Sequence, residues 1–509
     1  MSLQKGYPSL AQGTTQRLAR LARAPCATLM LALAPYVCVL VGFATIVNSW
    51  GSLHHDMTEA WAWGKEFQLG YAKHPPFSAW LAGLWFLLVP RGNLGFYLLS
   101  GLNVAMALAG VWMVAGVFLG TRARLAALFF LMLTPSFSLW ALKFNVNAPL
   151  ISTWPWTTYF FLRSLETRRI DYSVYAGVLG GMALLTKYYS LVLFATLLIV
   201  AMLHPERRRY FASPAPYFTN AVGLLVVTPH VWWTIAAGFP TIDYAISKTQ
   251  FGVAEARSTA FGSVAGALAA LSVGLAAYAT AFGARWRMLL RRSLAAAVTI
   301  PDAWIGCLAY GPLLLTIAAY LFANARVTIG FLLPAFFALP VAFLALSRAE
   351  ATPTVTRRLG VWVAAVWLAL LAAAPGIAYY TLRFGNWRAL EPRRQLADEA
   401  TRIWHQTFGR RLRFVSGEQA LATAATFYSP DTPSYFMFDQ PEHSPWVSSL
   451  EANREGVLLL CRAESAACVR GAEAYAGKRA MRFERELRVT FLGRAGQSER
   501  FQLIARPPE

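Results

Sequence analysis

Apolar runs of near-spanning length follow one another through most of this chain, at residues 26–47, 95–119, 124–142, 148–163, 173–186, 188–203, 216–236, 262–283, 302–323, 329–347 and 359–381. That pattern leaves few possible folds. About 20 apolar residues let a helix cross the hydrocarbon core, and within lipid every backbone amide must find its partner inside the chain. The run lengths therefore predict an α-helical polytopic membrane protein with about 11 transmembrane helices. Composition agrees: 57% of the 509 residues are apolar and 14% are charged, against about a quarter charged in soluble proteins. The net charge of +21 sits in short basic clusters between the apolar runs. Membrane orientation explains such clusters, and no nucleic-acid partner is expected.

Charge also sets the expected topology. The "ALLTKYYSLVL" stretch reads as two spans joined at Lys187. Arg17, Arg20, Arg23, Arg122, Arg124, Arg163, Arg168, Arg169 and the "PERRRY" cluster then share the cytoplasmic side, whereas a single span would put "PERRRY" outside. Residues 1–25 form a cytoplasmic segment in this reading, and 26–47 is an uncleaved first helix with no small-x-small site after it. Residues 26–381 form the transmembrane domain, with a first outer loop at 48–94. The "HPPFSAWLAGLWFLLVP" segment is too short to span, so it is expected as a juxtamembrane or re-entrant helix started by Pro75 and Pro76, where a missing amide proton costs nothing. From 382 to 509, short apolar strands ("RLRFVSG", "PSYFMF", "GVLLLC", "RVTFL", "RFQLIA") alternate with helical stretches, which predicts a small extracytoplasmic α/β domain. There Cys461 and Cys468 could pair, while Cys26, Cys38 and Cys307 read as packing residues.

Polar residues capable of chemistry gather on the outer side. Asp56 and Glu59, three apart in "HHDMTEAWAW", would share one helical face continued by Trp63 and Phe67. Two carboxylates so placed suit a base that takes a proton from an alcohol, one tuning the other, or else simply complement the dipole of a solvated helix turn. Other outer loops supply Lys73 and His74, Lys143, Asn145 and Asn147, Lys187 and Tyr188, His230, and Lys248 with Arg257. Cations and amides from separate loops could converge on a phosphate. Each also has a plainer account: a snorkelling Lys187, an interfacial or buried His230, asparagines that cap a helix. "HHD" suggests a metal, but adjacent histidines in a regular helix point apart and no HExxH or Cys/His pattern exists, so a divalent metal is not expected. Nor is there a P-loop or GxGxxG fingerprint for a nucleotide.

In order, "DMTE", "GYAKHPPFSAWLAGLWF", "FNVNAPL", "LGGMALLTKYYSLVLF" and "TPHVWW" resemble the integral-membrane GT-C glycosyltransferases, close to the protein O-mannosyltransferases, lipid A aminoarabinose transferases and rhizobial galacturonosyltransferases. The similarity runs over roughly residues 26–380. It implies inverting transfer of a sugar from a polyprenyl-phosphate carrier to a lipid, glycan or protein acceptor at the outer face of a bacterial inner membrane, with no required cofactor. By the same resemblance Asp56 is the catalytic acidic position, Glu59 its acidic partner, His74 a residue facing the carrier phosphate, and Lys187 the lysine of the outer turn. Lys73 and Asn147 depart from the pattern, since many relatives are acidic there. Two rival readings stand beside this one: a transporter or lipid-linked sugar flippase, and a non-catalytic envelope assembly protein.

Overall fold

The computed structural model describes residues 10–249, 253–323, 329–384, 391–491 and 494–509. Its first helices are α1 (Leu10–Val47), α2 (His55–Gly64), α3 (Phe77–Leu88), α4 (Asn93–Phe118), α5 (Thr121–Met132), α6 (Ala148–Thr167), α7 (Ile170–Thr186) and α8 (Ser190–Leu203). There follow α9 (Arg207–Phe211), α10 (Ala215–Ala236), α11 (Pro240–Thr249), α12 (Val253–Phe282), α13 (Trp286–Ala296), α14 (Ala303–Ala323), α15 (Leu339–Ser347) and α16 (Pro353–Phe384). Most apolar runs of the sequence fall on one of these helices; 124–142 leaves α5 after Met132 for two 3-10 turns, and 329–347 starts as a 3-10 helix, Ile329–Phe336, ahead of α15. Five described helices are long and apolar enough to cross a membrane, or seven if each of two bent pairs is one span. The other four runs lie on α6, α7, α8 and α14, which are shorter or less apolar.

The two bends position the site. After α5, Pro135 opens a 3-10 turn and the chain swings by 96°, carrying residues 143–147 back along the bundle. The break is held from outside itself: Tyr36 donates its hydroxyl proton to the Phe137 carbonyl at 2.9 Å, and the Trp367 indole donates to the Met132 carbonyl at 3.0 Å. Such bonds satisfy carbonyls that the broken helix leaves free. The second bend, 85° between α10 and α11, turns on Gly238 and Phe239, both with positive φ.

Between α1 and α4 the chain folds back on itself. Tyr71 and His74 exchange backbone hydrogen bonds at 3.2 Å in both directions, closing a tight turn that displays Lys73 and His74. The Tyr71 ring stacks on Trp63 at 5.2 Å, and its hydroxyl donates to the Trp63 carbonyl at 2.8 Å. Pro76 then caps α3, as the double proline predicts. Gly64 of α2 lies against Gly83 of α3 so closely that a Cβ on either would run into the other's backbone. One expectation fails here: α2 stops at Gly64, and Phe67 (φ +46) leaves the helix to stack on Trp80 at 5.4 Å instead of continuing the carboxylate face.

The C-terminal region contains α17 (Arg393–Phe408), β1 (Phe414–Gly417), α18 (Gln419–Tyr428), β2 (Ser434–Tyr435), α19 (Ser449–Glu455), β3 (Val457–Arg462), α20 (Ala466–Ala476), β4 (Met481–Phe491) and β5 (Arg494–Arg506). The sheet order is β2-β1-β3-β5-β4, with β1 parallel to β2 and β3, and β5 antiparallel to β3 and β4. All five expected strands are present, β4 and β5 running longer than the apolar pattern showed because charged residues alternate along them. Separate apolar clusters cover the sheet, one under α17 and α18 and one under α19 and α20. Cys461 and Cys468 are joined in a disulfide.

This region docks on the first loop through α18. The Tyr428 hydroxyl accepts from the Leu53 amide and donates to Asn93 Oδ1, both at 2.7 Å, while Arg91 donates to the Phe427 carbonyl at 2.9 Å. Trp61 meets Phe427 edge-on at 5.5 Å, and the hydroxyls of Thr58 and Thr423 are 3.3 Å apart. Gly417, at φ +100, makes this possible. The chain turns there from β1 into α18 hard against the Leu460 backbone, where a side chain would not fit.

Candidate active site

The first loop, the 143–147 segment, the α7–α8 turn, α11 and the start of α18 enclose a cavity of about 1380 Å³. Asp56, Glu59, Lys73, His74, Lys143, Asn145, Asn147, Lys187 and Tyr188 all line it. The sequence-predicted residues of separate loops therefore do converge.

Asp56 sits at the helix start with both oxygens engaged. Oδ1 is 3.0 Å from His55 Nε2; Oδ2 is 3.0 Å from Lys143 Nζ and accepts from Asn145 Nδ2 at 3.2 Å. Burial alone would raise this carboxyl, but the hydrogen bond from His55 and the charges of Lys143 and the two histidines outweigh it and hold Asp56 well below the usual carboxylate range. It is ionised at every physiological pH. Glu59, one turn on and only 9% exposed, is the opposite case. Burial pushes its pKa up despite Lys73, whose ammonium is 2.9 Å from Oε1.

A further cation, Lys187, comes from the end of α7. The Lys187 ammonium donates to Asn147 Oδ1 at 2.8 Å and lies 3.3 Å from the centre of the Phe331 ring. Burial pushes it down to about 7, against the pull of Asp56. His74 is held neutral: burial, then the charges of Lys187 and Lys73, lower its imidazole to about 3. Its ring packs edge-on against Tyr244 at 5.4 Å. His74 therefore lines the cavity as a neutral imidazole.

His230 is not among the residues that line the cavity. Buried on α10, it takes the Leu69 carbonyl on Nδ1 and the Tyr188 hydroxyl on Nε2, both at 2.8 Å. Since a carbonyl can only accept, Nδ1 carries the proton and Tyr188 donates to Nε2; Thr241, 2.9 Å away, can then donate to Tyr188. The sequence placed His230 with the ligands, whereas it holds Tyr188. The side chains of Arg257 and Lys248 lie outside the described residues.

Several lining residues escaped the sequence reading: Gln419, Glu418 and Arg462 of the C-terminal region, Tyr244 of α11, and Phe331. Gln419 is the most closely engaged. Its amide nitrogen donates to Glu59 Oε1 and its carbonyl accepts from Lys73 Nζ.

His54 precedes α2 in extended conformation (φ −57°, ψ 140°), so the two histidine rings stack at 4.2 Å and, with Asp56, bring three ligand atoms within 4.8 Å. The regular-helix geometry that keeps adjacent histidines apart does not apply. The Lys143 ammonium holds the other carboxylate oxygen, Asp56 Oδ2, at 3.0 Å.

Comparison with known proteins adds the context. Residues 73–233 match the family model "Dolichyl-phosphate-mannose-protein mannosyltransferase". No curated protein matches the chain by sequence. Among solved structures, ArnT from Cupriavidus metallidurans bound to undecaprenyl phosphate superposes with a TM-score of 0.60 at 15% identity, over 94% of this chain and 98% of that one. Its apo form gives 0.59 at 15% identity over 96% and 98%. The Archaeoglobus fulgidus oligosaccharyltransferase gives 0.43 at 14% identity over 84% and 67%. The resemblance to GT-C glycosyltransferases is borne out: the chain is a multi-pass membrane protein with the fold of ArnT, and its residues 73–233 carry the mannosyltransferase pattern.

Proposed function

We propose that this protein is an inverting glycosyltransferase that moves a hexosyl or pentosyl unit from a polyprenyl-phosphate carrier to an envelope acceptor, a lipid, glycan or protein. The observation that carries the reading is one cavity that holds both the ionised Asp56 and Lys187, in a fold shared with a protein solved with undecaprenyl phosphate. In the step envisaged, the acceptor hydroxyl oxygen attacks C1 of the sugar from the side opposite the phosphate. The C1–O bond to phosphate breaks, its electron pair leaves with polyprenyl phosphate, and the hydroxyl proton passes to Asp56. Lys187 stabilises the charge that grows on the leaving phosphate, Lys143 keeps the Asp56 carboxylate ionised, and neutral His74 donates a hydrogen bond to the phosphate. Asp56 is a weak base, suited to a late proton transfer from an oxygen already bonded to carbon. The raised pKa of Glu59 favours a second assignment in which that residue takes the proton.

The Cys461–Cys468 disulfide supports a periplasmic location for the C-terminal region, since such bonds persist in oxidising compartments; an inner-membrane protein with its N-terminus inside follows from the same orientation. A transporter or flippase would place its ionisable groups near the bilayer midplane in broken helices, whereas those of the cavity lie on loops and helix ends. Comparing the envelope glycans and glycolipids of a deletion strain with its parent by mass spectrometry tests the proposal. One sugar should vanish from one class of envelope molecule; unchanged envelopes would contradict it.

A further inference from the structure

A second cavity, about 340 Å³, opens beside the first and shares Trp63, Lys73, Tyr244 and Ser247 with it. Its remaining wall comes from α11 and the 435–444 segment of the C-terminal region. Building on the transferase reading above, we infer that this side cavity is the acceptor subsite and that it takes a neutral, hydroxyl-rich saccharide unit in preference to a phosphorylated one.

Position supplies the first argument. The shared wall consists of the residues next to the carboxylates: Trp63 is on the same helix as Asp56 and Glu59, and Lys73 is bonded to Glu59. A hydroxyl that reached past Trp63 would therefore come to the helix that carries both carboxylates. At the outer end Asp243, Ser247 and Gln440 are exposed, so the subsite is open at the molecular surface.

Chemistry supplies the second. The walls include the rings of Trp63, Tyr244 and Tyr435, and the hydrogen-bonding groups of Asp243, Gln440 and His443. Flat apolar faces with carboxylate and amide groups between them match a sugar ring, which has C–H bonds on its faces and hydroxyls round its edge. A phosphate calls for lysine or arginine. Among the described residues Lys73 is the one lysine or arginine of the lining, and Glu59 and Gln419 already hold it, while Asp243 at the mouth repels an anion. The volume lies within the range of small-molecule pockets, about 300–1,000 Å³.

The test uses the full-length protein in sugar-free lipid nanodiscs, with methyl maltoside and glucose 1-phosphate as probes in saturation-transfer NMR. Methyl maltoside should bind, glucose 1-phosphate should bind more weakly, and Gln440→Ala or Asp243→Ala should weaken the maltoside about tenfold. Both substitutions lie on exposed positions away from the packed cores. Absence of maltoside binding, tighter binding of glucose 1-phosphate, or indifference to both substitutions would overturn the inference. Undecaprenyl phosphate binding on the same discs separates the two readings: if it persists while maltoside fails, only the subsite falls, and if it is absent, the transferase reading falls as well.

Discussion

The Gln419 amide hydrogen-bonds Glu59 across 360 residues of sequence, and with its carbonyl it also takes Lys73. One side chain of the C-terminal region thus closes the ring of polar groups that the first loop begins, so this region is a wall of the cavity.

Gln419→Ala should therefore lower turnover about tenfold, with a smaller change in donor binding, because the Glu59–Lys73 pair loses its tether while Asp56 and Lys187 keep theirs. Steady-state kinetics on purified protein would show it, and Gln419→Asn should be nearly as impaired, its amide a methylene too short. Wild-type turnover in both variants would leave Gln419 as scaffolding.

Lys187 sets the expected pH dependence. Burial lowers its pKa to about 7, so the ammonium is present below that value and lost as pH rises through it. Undecaprenyl phosphate should bind progressively more weakly from pH 6.5 to 8.5, approaching tenfold per unit above the transition. Lys187→Arg, charged throughout, should flatten the curve. A flat wild-type curve would show that this ammonium does not hold the phosphate. His74, neutral down to about pH 3, should contribute no break near pH 6.

Gly83→Ala tests the frame. The added methyl would collide with the Gly64 backbone, forcing α2 and α3 apart and shifting the helix that carries both carboxylates. Overpacking of this kind costs about 1–3 kcal/mol. Thermal unfolding should report the loss, and transfer should fall with it; an unchanged melting temperature would mean that the two helices separate freely.

Much of this arrangement was legible in the sequence because hydropathy and charge act locally. Most apolar runs lie on a helix, the double proline starts α3, and the five C-terminal strands stand on short apolar runs. Asp56, Lys143 and Lys187 could be placed together since loops on one side of a bundle have little room to diverge. The rest depended on contacts that no local pattern records. Gln419 follows an ordinary β-turn-α connection, and nothing near it in sequence points to Glu59. His54 caps a helix in place of joining it, which changes what "HHD" can do. The imidazole of His230 looks like a ligand until its two nitrogens are found committed to Leu69 and Tyr188.

The central claim is that Asp56 accepts the acceptor's proton. A deletion strain complemented with Asp56→Asn decides it most directly, with membrane insertion checked by immunoblot and the envelope products by mass spectrometry. The account predicts normal insertion and a loss of transferred sugar of about 10²–10⁴-fold, the usual contribution of a general base, with Glu59→Gln milder. Full restoration of the product by Asp56→Asn, or its loss only in Glu59→Gln, would contradict that assignment.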